Sequence, residues 1–100
     1  MIRGTTPTHC FTLPFDGITV KKYNIVYSQN GVTVLKKREG DCTLENNTIT
    51  LRLTQEETML FDSEKEISIQ LHMLTAGGDA LVSNIHTDKA EDCLDNEVLV

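Results

Sequence analysis

The chain is 100 residues long, 39% hydrophobic, and carries nine basic against fifteen acidic residues, a formal net charge of −6. That length argues for one domain, and the overall sign argues against nucleic-acid binding. No apolar run approaches the ~20 residues needed to span a bilayer, so no membrane contact is expected. Met1 to Pro7 lacks the apolar stretch of a secretory signal, so synthesis and folding in the cytoplasm are expected.

The charge is unevenly spread. Residues 1–40 carry six Lys/Arg against two acids, and residues 41–100 carry three against thirteen. Two readings stand side by side: solvated strand faces with an acidic tail, or charges of both signs arranged for contacts between subunits. Cys10, Cys42 and Cys93 are odd in number and far apart, with no C-x-x-C. Reduced, unpaired thiols are therefore expected.

In chain order, residues 1–7 form a polar leader, expected to be loose until something holds it. Thr8 to Pro14 alternates, with His9, Phe11, Leu13 and then Phe15 on one face and Thr8, Cys10 and Thr12 on the other. Pro14 cannot donate to a ladder and ends this strand. Asp16-Gly17 reads as a turn. Ile18 to Ser28 is the second strand. Tyr23, Ile25 and Tyr27 share a face, but Ile18 and Val20 fall on the opposite phase, which predicts a bulge near Lys21-Lys22. Asn30-Gly31 tolerates positive φ at both positions and predicts a tight hairpin turn into a return strand over residues 31–38.

Glu39-Gly40-Asp41 reads as a turn, followed by a short piece around Cys42 and Leu44. From Asn47 the alternation is strict, with Ile49, Leu51 and Leu53 on one face. Thr54 with Glu57 three residues later is the reciprocal capping pattern of a helix start, so a single helical turn over residues 55–60 is expected. Leu60 and Phe61 would close over the core. Residues 66–75 alternate cleanly, with Ile67, Ile69, Leu71 and Met73 inward, and Ala80 to Asp88 reads as one last strand. Residues 89–100 form an acidic tail ending on Val98-Leu99-Val100.

Short strands with turn signals every eight to twelve residues predict a small all-β antiparallel β-sandwich, immunoglobulin-like in outline, with six to seven strands and one short helical turn. The expected core includes Phe11, Ile25, Leu51, Leu53, Ile69 and Leu71.

No catalytic, cofactor or metal motif is visible. His9, His72 and His86 stand alone in their segments, and no H-E-x-x-H, H-x-H or G-x-S-x-G occurs. Neighbours on a strand point to opposite faces, so His9 and Cys10 are not a nucleophile and its base. The chain is therefore expected to be no enzyme and to take no cofactor or metal. The candidate contact residues are the cations of the hairpin arms, Lys21, Lys22, Lys36, Lys37 and Arg38, and the apolar end Val98, Leu99 and Val100.

T-T-P-T-H-C-F-T-L-P-F-D at 5–16, Y-S-Q-N-G at 27–31, N-T-I-T-L-R-L-T-Q-E-E-T-M-L-F at 47–61 and I-Q-L-H-M-L-T-A-G-G-D-A-L-V-S at 69–83 carry a resemblance. Across most of its length the chain resembles small structural and tail-associated proteins of phages and prophages of Gram-positive bacteria. In strand order and hairpin pattern it is similar to the immunoglobulin-like N-terminal domain of phage baseplate upper proteins. The resemblance implies a non-catalytic tail or baseplate module that binds phage structural proteins or itself, with the virion as one destination. The alternative is a small acidic inhibitor of a host defence protein.

Overall fold

A computed structural model describes residues 1–15, 19–94 and 97–99. The expected turn at Asp16-Gly17 and the start of the second strand at Ile18 lie outside the described residues. Within them the strands are β1 (Thr8–Thr12), β2 (Val20–Gln29), β3 (Val32–Arg38), β4 (Thr43–Glu45), β5 (Thr48–Arg52), β6 (Glu66–Thr75), β7 (Ala80–Val82) and β8 (His86–Lys89). A 3-10 turn, Glu39–Asp41, follows β3, and helix α1 (Gln55–Met59) follows β5.

The strands form two antiparallel sheets. One has the order β1-β5-β4; the other runs β3-β2-β6-β7, with β8 also paired to β6. Both sheets pour their buried residues into one core: Ile49, Leu51 and Leu53 from β5 and its end, Tyr23, Ile25 and Tyr27 from β2, and Ile67, Ile69, Leu71 and Met73 from β6. Five of the six expected core residues are buried, and Phe11 packs half-buried against them. The orders match the two facing sheets of an immunoglobulin-type sandwich, C′-C-F-G opposite B-E-D, with β1 in the place of strand B.

The local signals explain the elements. Asn30 (φ 52°) and Gly31 (φ 76°) make the tight β2–β3 turn. The pairing of β2 with β6 slips between Val20 and Lys22, so Lys21 is the bulged residue. Thr54 Oγ1 accepts the Glu57 N–H (3.1 Å) while Glu57 Oε1 accepts the Thr54 N–H (2.9 Å), the reciprocal cap that starts α1. Phe61 is buried as expected, but Leu60, at the helix C-cap, is turned out to 59% exposure.

Two regions depart from the sequence reading. The leader is held in place: Ile2 bridges Glu91, Arg3 bonds Asp92 (2.8 Å) and the Met59 carbonyl (3.2 Å), and buried Thr58 accepts the Gly4 N–H (2.9 Å). The expected last strand is two pieces. Ser83 N–H donates to the Leu71 carbonyl (2.8 Å), and Ser83 Oγ accepts the Leu71 N–H (3.0 Å). The Ser83 side chain thus takes a main-chain role, and Asn84 and Ile85 loop out before β8 resumes with His86 opposite Ile69.

Candidate interaction surface

The pleat and the registers decide where each candidate residue points. On β2, Lys22, Asn24 and Val26 share the face turned away from the core. Asn24 lies opposite Arg38 on β3 and His72 on β6, and His72 lies opposite Val82 on β7. Val26 lies opposite Lys36 and Gln70, and Lys22 opposite Leu74, which lies opposite Ala80. Lys22, Lys36 and Arg38 therefore stand on one outer sheet face. Between them and β7 lies a hollow of ≈360 Å³ lined by Lys22, Asn24, Arg38, Glu39, His72 and Leu74, among others. None of these three cations is ion-paired among the described residues.

The other two cations of the hairpin go elsewhere. Lys37 lies opposite buried Ile25, and its ammonium pairs with the Glu57 carboxylate on α1. Burial works against ionisation of Glu57, but the bonds from Lys37 and Thr54 outweigh it and hold its carboxyl below the usual range. Lys37 thus ties β3 to the cap of α1. Lys21, on its bulge, is exposed at the start of β2.

At the other end of the chain Val98 is half-buried and Leu99 is 72% exposed. The side-chain amide of Gln55 bonds the Leu99 main chain twice, accepting its N–H (2.9 Å) and donating to its carbonyl (2.8 Å). The tail end is therefore docked on α1. Val100 lies outside the described residues.

The histidines do not converge. His72 lies opposite Val82 and His86 opposite Ile69, while His9 stacks on Tyr27 with ring centroids 5.7 Å apart and Nδ1 2.6 Å from the hydroxyl. Burial lowers the His9 pKa, opposed by the nearby Asp88 carboxylate. Tyr23 is pushed up to about 12 by burial, with Cys42 and Glu39 adding to the rise. Burial likewise raises the Cys42 thiol, with Asp41 adding to it, so Cys42 is not an activated thiolate. All three cysteines are free, and no group of three His, Cys, Asp or Glu among the described residues is placed to hold a metal. No helix there is long and apolar enough to cross a membrane.

Sequence reasoning grouped the hairpin cations but not their partition between two faces. The alternation of β2 carried that signal; the register that aligned Lys36 and Arg38 with it came from the fold.

The chain is thus a small antiparallel β-sandwich of immunoglobulin-like outline with a basic outer sheet face. No family model matches it, and no curated protein matches either. Among solved structures it is similar to the V domain of amphioxus IgVJ-C2, at 17% identity and a TM-score of 0.37, covering 91% of this chain and 95% of that one.

Proposed function

We propose that this chain is a non-catalytic structural or adaptor module of a phage or prophage, of the tail- or baseplate-associated kind, that works by binding protein. The outer face of β2, β3 and β6 is its contact surface, and an acidic segment of a phage structural protein is its partner. One observation carries the reading: Lys22, Lys36 and Arg38 share a face beside a hollow and are in no ion pair among the described residues. Opposite charge across an interface sets orientation and speeds encounter.

The alternative, an acidic inhibitor of a host defence protein, needs free carboxylates. Five of the thirteen acids after residue 40, Glu57, Asp62, Glu64, Asp88 and Asp92, are in ion pairs within the chain, which takes those five out of such a surface. Mass spectrometry of purified virions tests the tail assignment; the chain is expected in the tail fraction, and its absence from virions overturns that assignment. Reversing Lys22→Glu, Lys36→Glu and Arg38→Glu together is expected to abolish binding to the partner without loss of fold. Unchanged binding would rule out this face.

A further inference from the structure

The three-stranded sheet ends at β1, where an immunoglobulin-type sheet continues by one more strand. Two bonds bracket the β1–β5 ladder, Leu53 N–H to the Pro7 carbonyl (3.0 Å) and Leu13 N–H to the Asn47 carbonyl (2.6 Å). An antiparallel ladder alternates, so His9 and Phe11 turn their main chain toward β5 while Thr8, Cys10 and Thr12 turn theirs outward. No hydrogen bond reaches those outward groups among the described residues. Beyond them lies a groove of ≈500 Å³, lined by β1, by the core residues Ile69 and Leu71, and by His86, Thr87 and Asp88 on the far side.

Natural sheets guard their edges with charge, bulges or brevity. β3 carries Lys36, Lys37 and Arg38 and a register slip opposite Tyr27 and Ser28. β4 has three residues and Glu45, while β7 and β8 have three and four residues and a break between them. β1 has five residues in unbroken register and no charge.

We propose that the outer edge of β1 is a self-association site, at which two copies of this chain pair their β1 strands antiparallel about a two-fold axis at Cys10. The occupant follows from the sequence of the strand, which is complementary to itself about that residue. Centred on Cys10, the pairing sets Thr8 against Thr12 of the second copy, and Thr–Thr pairs across strands are favourable. It sets His9 against Phe11 of the second copy, both half-buried on the inner face. The inner row then runs from Leu51 through His9 into the second copy's Phe11 and Ile49, which extends the core across the junction. The edge brings no like charges together, and an isologous contact of this kind closes at two copies.

The geometry makes Cys10 a reporter. With their main chains pointing outward, the two Cys10 residues form a hydrogen-bonded pair with Cα atoms about 5.5 Å apart; their Cβ atoms, also about 5.5 Å apart, are too far for a direct disulfide but within reach of a short crosslinker. In the Cys42→Ala/Cys93→Ala variant, a short bismaleimide is expected to give a covalent dimer through Cys10. Light scattering of the reduced chain should show a mass rising with concentration toward twice 11.2 kDa. Because each copy carries −6, added salt should strengthen the dimer.

The Thr8→Lys/Thr12→Lys variant should be monomeric, although it reduces the net negative charge, because each new cation faces another. The Thr8→Lys/Thr12→Glu variant should restore the dimer, since the proposed register pairs the new charges. A monomer at every concentration overturns the proposal. So does a dimer that survives Thr8→Lys/Thr12→Lys, fails to return in Thr8→Lys/Thr12→Glu, or weakens with salt.

Discussion

From Thr48 to Leu53, alternation and burial agree. Ile49, Leu51 and Leu53 point inward and are 0%, 2% and 0% exposed. Among the described residues from Ala80 to Leu99, Ala90 is buried but the larger Leu81, Val82, Ile85 and Leu99 lie outside, at 38%, 57%, 60% and 72% exposure. The two regions differ in their neighbours. β5 lies between β1 and β4 with the second sheet over its inner face, so both its ladders and its side chains are committed. β7 and β8 pair only with β6 and sit at the margin of their sheet. There, single side chains such as Ser83 and Gln55 settle the path of the backbone. A strand with partners on both sides obeys its hydrophobic period; one at the margin answers to individual hydrogen bonds.

Deleting the same kind of bulk in each region is the sharpest comparison. Leu53→Ala should destabilise by about 2–5 kcal/mol, the transfer term plus a cavity, read from denaturant unfolding. A loss below about 1 kcal/mol would mean that the core beneath β5 collapses freely, and the contrast with β7 and β8 would fail.

Ser83→Ala tests the margin where it is strongest. The N–H of Leu71, a residue only 4% exposed, would lose its acceptor, at a cost of about 1–3 kcal/mol. Amide exchange at Leu71 should rise with it; unchanged protection would show another acceptor taking over.

Thr54→Ala removes half of the reciprocal cap on α1 and should cost about 0.5–2 kcal/mol. Gly at this position should cost less than Ala, because Gly is the better N-cap residue. The reverse order in thermal melts would remove the cap from the account of this region.

His9 connects the two regions, opposite Leu51 on β5 and near Asp88 on β8. Its folded pKa lies below 6.5 because burial disfavours the charged ring, so the unfolded chain binds the proton more readily. Stability should therefore fall as pH drops from 6.5 toward the folded value. Glu57 and Asp88, whose carboxyls are held low in the fold, add their losses only as pH falls through their ordinary values of 4.5 and 3.8. His9→Gln should flatten the upper part of the profile alone. An unchanged slope between pH 6.5 and 5 would assign it to another group.

The smallest effect belongs to the loop between β7 and β8. Ile85→Ala should change stability by no more than about 0.5 kcal/mol, since its side chain already faces water. A larger loss would reveal an apolar contact for Ile85.

What the sequence determined by itself were the elements whose causes are local. The Asn30-Gly31 turn follows from positive φ, the α1 cap from the spacing of Thr54 and Glu57, the Lys21 bulge from a change of phase, and the inward faces of β5 and β6 from a period of two. The tertiary structure alone decided which strands became neighbours and in which register. That choice put Lys22, Lys36 and Arg38 on one face, sent Lys37 to Glu57, tied the leader to Thr58 and Glu91, and left β1 at the edge of its sheet among the described residues. The reason is physical: propensity and capping act over a few residues, whereas register is set by the joint burial of side chains far apart in the chain.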